Sequence, residues 1–164
     1  MRYQQSKSIQ DYSVLLDGLY KDFGNHFCHT ILCWCELMEI EQAPNKSRFW
    51  EVWIIKQNNN TIGICGLYSL NNKVDTLWLG WLGILPALRN QKLGCYVLDF
   101  LKETAIKIGA TKIMSYVDSN GKPLPFYIRN KFKVIGTVGD YIKENNMDIS
   151  DFENEKDYII ECNL

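Results

Sequence analysis

Residues 78–108, WLGWLGILPALRNQKLGCYVLDFLKETAIKI, constrain the fold more than any other part of the chain. From Trp78 to Leu85 nearly every residue is apolar, with no polar alternation, which is the pattern of a strand covered on both faces. Pro86 has no backbone donor and stops the ladder, and Arg89, Asn90, Gln91 and Lys92 follow before Gly94. Beyond Gly94 the apolar residues fall at Tyr96, Val97, Phe100, Leu101, Ala105 and Ile108, with Asp99, Lys102, Glu103 and Lys107 between them. That is helical spacing with one buried face. The segment reads as a central strand, a basic loop and an amphipathic helix. A loop of this kind makes an anion site, because the N–H groups of a first helical turn are free, the helix dipole favours negative charge and a Gly admits close approach. An ordinary turn with solvated cations fits the same pattern equally well.

Strands 50–56 and 61–70 precede this segment, joined by Asn58-Asn59-Asn60, because Asn tolerates positive φ in a hairpin turn. Asn71-Asn72-Lys73 makes a second turn, so the three strands form an antiparallel meander. Gly63 and Gly66 in the middle strand mark a bulge or a close approach, or only local packing. Beyond the helix, Gly109 caps it and 112–117 is a strand; a strand, helix, strand order with this connection predicts a parallel pair. A short helix over 123–131, a strand over 133–141 and a last strand over 158–163 complete the sheet. Residues 144–157 form an acidic loop containing Asp148, Asp151 and Glu153, read as solvated or, more sharply, as a lure for cationic amines. At the other end, residues 9–40 read as two helices broken near Gly24-Asn25. The class is mixed α/β with α+β character: a central twisted sheet, an antiparallel N-terminal meander and flanking helices.

Two motifs carry a resemblance. Ile84-Leu85-Pro86-Ala87-Leu88-Arg89-Asn90-Gln91-Lys92-Leu93-Gly94 resembles the acetyl-coenzyme A signature Val-x-Pro-x-x-Arg-x-x-Gly-x-Gly of the GNAT superfamily of N-acyltransferases. Ile84, Pro86, Arg89, Gly94 and the following helix fit, while Lys92 stands in place of the first Gly. Asn120-Gly121-Lys122-Pro123-Leu124-Pro125-Phe126-Tyr127 resembles the family's Asn-x-x-Ala-x-x-Phe-Tyr segment, with Lys131-Phe132 where Gly-Phe is typical. The resemblance implies a GNAT fold in which the central strand and strand 112–117 splay apart and admit the pantetheine arm. It implies one domain over 1–164, with an acceptor-side helical region at 1–47, a core with the cofactor site at 48–141, and the acidic loop and last strand at 142–164.

The same resemblance assigns roles. Backbone N–H groups of Asn90, Gln91, Lys92, Leu93, Gly94 and Cys95, with the side chains of Arg89 and Lys92, would hold the pyrophosphate of acetyl-coenzyme A. Lys92 is expected to take a helical backbone and add a cation. Leu82 and Ile84 would pair with pantetheine, the Ile84 N–H facing the developing oxyanion. Asn120 would bind the pantetheine arm, and Tyr127 would protonate the departing thiolate, a role its phenol suits because it is neutral at pH 7. No base is evident, since Trp78, Gly80 and Leu82 on the central strand do not ionise; Glu51, Asp75 or a water relay remain open.

The expected activity is direct transfer of acetyl from acetyl-coenzyme A to a primary amine of a small molecule or peptide. An alternative is a catalytically impaired acyl-coenzyme A-binding module with a regulatory role, suggested by Lys92, Lys131 and the missing base. His26, Cys28, His29, Cys33 and Cys35 crowd together and raise a metal or redox regulator, but no second ligand pair follows and the stretch reads as a helix using Cys as a small hydrophobe, so no metal is assigned. Balanced charge, 18 Lys and Arg against 19 Asp and Glu, gives no general basic surface for nucleic acid or membranes. The N-terminus lacks the apolar run of a signal peptide, and a cytoplasmic location is expected. Nothing in the sequence requires a homodimer or forbids one.

Overall fold

The chain enters the edge of a sheet at once: β1 (Arg2–Gln4) pairs antiparallel with β2 (Trp50–Gln57), Tyr3 lying opposite Ile55. The computed structural model describes residues 1–35, 50–70, 75–121, 123–147, 152 and 154–164. Between these two strands α1 (Ser13–Trp34) follows a 3-10 turn at Ile9–Tyr12. It is kinked at Gly24, whose φ of 63° and ψ of −159° are not helical, so the expected break is found there. The expected continuation of that helix over 36–40, the turn at 71–73 and the acidic Asp148, Asp151 and Glu153 lie outside the described residues. The sequence offered no signal for β1, three polar-flanked residues at the very start.

β3 (Asn60–Tyr68) returns through Asn58 and Asn59, whose φ values of 50° and 64° are the left-handed pair that a two-residue hairpin needs. β4 (Thr76–Leu79) pairs antiparallel with β3 and completes the expected meander. The one strand expected over 78–85 is in fact two pieces, β4 and β5 (Gly83–Ile84), both along β3 and separated by residues 80–82. After a 3-10 turn at Pro86–Leu88, α2 (Leu93–Ile108) crosses over to β6 (Lys112–Val117), which is parallel to β4 as expected. Gly109, at φ 99°, ends the helix.

α3 (Leu124–Arg129) leads into β7 (Lys133–Thr137), and here the expected strand over 133–141 is wrong beyond Thr137. Residues Val138–Asn145 form α4. Thr137 is its N-cap: the side chain accepts from the Asp140 N–H at 3.2 Å and donates to Asp140 Oδ2 at 2.7 Å. Thr-x-x-Asp was the missed signal, masked by the β-branched alternation before it. β8 (Tyr158–Asn163) inserts between β6 and β7, giving the order β1-β2-β3-β4-β6-β8-β7.

Both faces of the sheet are covered. On one, Val97, Leu98, Leu101 and Ala105 of α2 bury against Ile55, Leu67, Leu77, Ile113 and Ile160. On the other, Leu15, Leu19, Phe27 and Ile31 of α1 cover Val52, Ile54 and Ile64, and Val138 of α4 with Phe152 covers Trp78, Met114 and Ile159. Removing these apolar areas from water is the main stabilising term, about 25 cal/mol per Å².

α3 stops in a tight motif. Lys131 N–H bonds Ile128 O and Phe132 N–H bonds Tyr127 O, both at 3.1 Å, and the Tyr127 and Phe132 rings meet at 5.4 Å. Lys131 sits at the left-handed position, φ 71°, that Gly fills without strain. Lys131→Gly is expected to raise stability by about 0.5 kcal/mol, the left-handed cost of about 1–2 kcal/mol being partly offset by the freer unfolded chain. Urea unfolding at constant slope would register this, and an unchanged midpoint would contradict it.

Candidate active site

A bulge builds the site. Leu67 lies opposite Leu79, the Gly80 N–H bonds Gly66 O at 2.8 Å, and Ile64 and Gly63 lie opposite Gly83 and Ile84. Counting between these pairs leaves Trp81 and Leu82 together opposite Cys65, two residues against one. Side-chain alternation shifts by one there. Trp81 joins Phe23 and Phe27 of α1, ring centroids 5.1 and 5.3 Å away, while Leu82 and Ile84 turn to the α2 face. Regular alternation would put Trp78, Gly80 and Leu82 on one face; the bulge puts Trp78 and Leu82 on opposite faces.

The bulge also frees a donor. Leu85 N–H bonds Ile62 O at 2.9 Å. Antiparallel residues alternate between pairs that exchange hydrogen bonds and pairs that do not, so Ile84, next in line, turns its N–H and C=O away from β3. Its C=O accepts from Arg89 Nε at 2.9 Å. Parallel pairing of β4 with β6 ends at Trp78 opposite Met114, although β6 continues along β8 to Val117. The strands therefore part on the side where Ile84 stands, the expected splay. The gap lies at the carboxyl end of the parallel pair, where open α/β sheets take ligands.

At the mouth of this gap the loop turns through Asn90 and Lys92, both left-handed at φ 64° and 61°. The helical backbone expected for Lys92 is not found; it takes the conformation natural to the Gly it replaces. Cys95 N–H is engaged with Lys92 O at 3.0 Å, but the N–H groups of Asn90, Gln91, Lys92, Leu93 and Gly94 have no hydrogen-bond partner among the described residues. Five such donors at a helix start fit an anion with several oxygens. A Cβ on Gly94 would come 3.0 Å from Phe126 Cζ, so α3 packs directly on the first turn of α2.

Arg89 reaches away from that cradle. Besides Ile84 O, its guanidinium meets Asp22 of α1, Nη1 to Oδ1 at 3.5 Å and Nη2 to Oδ2 in close contact. Asp22 carries no sequence signal, since its partner is 67 positions away. Tyr127 is buried in the same cluster as Ile84 and Leu93. Burial pushes its phenol up to about 12, and the hydroxyl has no hydrogen-bond partner among the described residues. Asn120 is exposed after β6, its N–H on Asp118 Oδ1 at 2.8 Å.

Neither carboxylate named as a base lies at this end. Glu51 is four residues along and two strands across from Ile84, roughly 16 Å away by strand geometry. Burial raises its carboxyl, with Lys7 opposing. Asp75 stands at the far end of β4, its carbonyl holding Thr111 N–H at 2.8 Å. Among the described residues no three His, Cys, Asp or Glu gather as metal ligands, and no helix is long and apolar enough to cross a membrane.

The matching family model is the acetyltransferase (GNAT) family, over residues 18–132, and the chain belongs to that family. Solved structures agree in fold. The PaiA N-acetyltransferase of Thermoplasma acidophilum, in complex with coenzyme A, is 16% identical over 100% of both chains, TM-score 0.64. A Bacillus subtilis acetyltransferase in complex with coenzyme A is 18% identical over 99% of this chain and 97% of its own, TM-score 0.63. A GNAT acetyltransferase from Staphylococcus aureus Mu50 is 20% identical over 100% and 97%, TM-score 0.64. Among curated proteins none matches the sequence.

The raised phenol gives Tyr127 a signature in stability. Below pH 10 the phenol is neutral folded and unfolded. As pH rises past 10 only the unfolded chain loses the proton, so stability falls until the folded phenol ionises near 12. Tyr127→Phe should therefore flatten the loss between pH 9 and pH 11 by about 1 kcal/mol in urea unfolding. Parallel slopes in variant and parent would show that Tyr127 titrates normally.

Proposed function

We propose that this chain is an N-acetyltransferase that moves acetyl directly from acetyl-coenzyme A to a primary amine of a small molecule or peptide. The observation that carries the reading is the set of five unpartnered N–H groups at the start of α2, set at the mouth of the gap where β4 and β6 part. Bound acetyl-coenzyme A supplies the acetyl group as a reactive thioester. Asn90 to Gly94 would hold its pyrophosphate through their unpartnered backbone N–H groups, the Cys95 N–H being engaged with Lys92 O, and the Lys92 ammonium would add charge there. Leu82 and Ile84 would line the gap for the pantetheine arm, and the exposed Asn120 that follows β6 would supply it a polar partner.

The Ile84 N–H is the donor for the thioester oxygen, stronger when charge develops on that oxygen than before. Tyr127 holds the proton that the sulfur needs on leaving. Its high affinity for that proton keeps the phenol neutral throughout the working range. The kinked α1, packed over Gly83 and Leu85, shapes the side from which an amine approaches. Lys92 and Lys131 both keep left-handed backbone where Gly is usual, so the loop geometry lends no support to a binding-only reading.

Thermal unfolding with acetyl-coenzyme A tests the first half. At about 100 times the dissociation constant the ligand adds about 2.7 kcal/mol, a rise of several degrees for a domain of this size. No rise would remove the reading. For the second half, Tyr127→Phe should lower thiol release in the presence of an amine at least tenfold while keeping that thermal rise, which corresponds to about 1.4 kcal/mol or more in the barrier. Equal turnover would remove the proton role of Tyr127.

A further inference from the structure

The sheet carries a second hollow, at the other end of the same parallel pair. Thr76 lies opposite Lys112 and Trp78 opposite Met114 where β4 meets β6. Met114 in turn lies opposite Glu161, and Glu161 opposite Lys133, across β8. Paired residues and residues two apart along a strand share a face, so all of these stand on the face that α4 covers. Tyr141 of α4 meets Trp78, ring centroids 5.4 Å apart. A cavity of about 190 Å³ lies here, lined by Thr76, Trp78, Lys112, Met114, Tyr141 and Glu161 among others. By strand geometry it is roughly 20 Å from Ile84, which stands beyond the bulge.

The polar groups around it are donors in want of acceptors. Trp78 is only 1% exposed, yet its indole N–H has no hydrogen-bond partner among the described residues. Among those residues Ser69 Oγ is the one unpartnered side-chain atom that solvent cannot reach, so the exposed sliver of Trp78 includes that N–H. Trp78 lines the cavity, and the N–H opens there. A donor held in so apolar a setting gains from an acceptor that a ligand brings. The hydroxyls of Thr76 and Tyr141 are also without a partner among the described residues and can donate beside it.

Charge points the same way. Lys112 Nζ stands 3.6 Å from Glu161 Oε2, and Lys133 Nζ stands 3.0 Å from Glu161 Oε1. Burial pushes the Glu161 carboxyl up, but the two lysines outweigh it and hold the group below its usual range. Two ammonium groups therefore share one ionised carboxylate, and one positive charge is left over. An incoming amine meets a carboxylate already engaged twice, whereas an incoming anion meets Lys112 on the cavity wall.

We propose that this cavity is a binding site for a small carboxylate on an apolar body, an aromatic or branched-chain acid. The carboxylate takes the Lys112 ammonium and the Trp78 N–H, and the body packs against Met114 and Tyr141. Sites for drug-sized ligands begin at about 300 Å³, so this ligand is a smaller one. The proposal goes beyond acetyl transfer and does not depend on it. Its floor, Trp78 and Met114, is the last pair before β4 and β6 part.

Benzoate is the probe, with benzamide and benzylamine as its neutral and cationic counterparts. Proton–nitrogen correlation spectra follow the indole N–H signals of the five tryptophans, Trp78 being the one lost in Trp78→Phe. Benzoate should move the Trp78 signal saturably, with a dissociation constant of about 1 mM or below. Benzamide should bind at least tenfold more weakly, and benzylamine should leave the signal in place. Lys112→Met, which keeps the stem and drops the charge, should weaken benzoate at least tenfold, whereas Glu161→Gln, which releases Lys112, should strengthen it. Saturating acetyl-coenzyme A should leave the benzoate shift intact.

No saturable movement of Trp78 with benzoate or 4-methylvalerate at about 20 mM would overturn the proposal. So would equal affinity for benzamide, movement by benzylamine, or benzoate affinity unaltered by Lys112→Met. Displacement by acetyl-coenzyme A would place benzoate in the gap near Ile84 and overturn it too. Should Lys112→Met lose its dispersed spectrum, Lys112→Gln at the same position, 37% exposed, carries the same expectation.

Discussion

One extra residue in one strand determines the architecture around the gap. With Trp81 and Leu82 both opposite Cys65, Leu85 rather than Ile84 is the residue that bonds Ile62. Paired without the bulge, Trp81 alone would stand opposite Cys65 and Leu82 opposite Ile64, so Ile84 would come opposite Ile62 and its N–H would be consumed in the ladder. The same irregularity sends Trp81 to α1 and Ile84 to α2, and increases the local twist where β4 leaves β6. A free donor, a parted pair of strands and a seat for α1 are thus consequences of a single insertion.

The two short motifs of the sequence are one object in space. Gly94 has no side chain, and Phe126 fills that position, so α3 and Tyr127 are placed by the first turn of the helix whose N–H groups form the cradle. Both lysines that interrupt the glycine pattern follow the same logic. At φ 61° and 71°, Lys92 and Lys131 adopt the backbone that the motifs require and bear its steric cost. The chain conserves geometry at these points while changing charge.

Legibility followed chemistry. Strands at 112–117 and 158–163 were readable to the residue because β-branched and aromatic runs end at clear turns, and α2 because its apolar spacing is regular. The bulge was not readable, since Trp78 to Leu85 is apolar on both faces and alternation cannot report a shift. α4 was lost because Lys133 to Tyr141 looks like a strand until the Thr137 cap is recognised. Loop residues such as Asn90 to Gly94, whose N–H groups stand unpartnered among the described residues, could be named from a motif, whereas Asp22 could not, because its partner Arg89 lies far along the chain.

In the proposed reaction the proton balance bears on the missing base. When a neutral amine attacks, its nitrogen loses one proton and the sulfur gains one, so the sum requires transfer and no net acceptor. Tyr127, whose phenol is pushed up to about 12, gives its proton to sulfur and becomes a base strong enough to take the one from nitrogen. Only the amine's own ammonium proton, of ordinary pKa about 10.4, must then be shed first, and desolvation against the apolar α1 face favours that loss. A carboxylate at Glu51 or Asp75 is not needed for this scheme, which agrees with both standing far from Ile84.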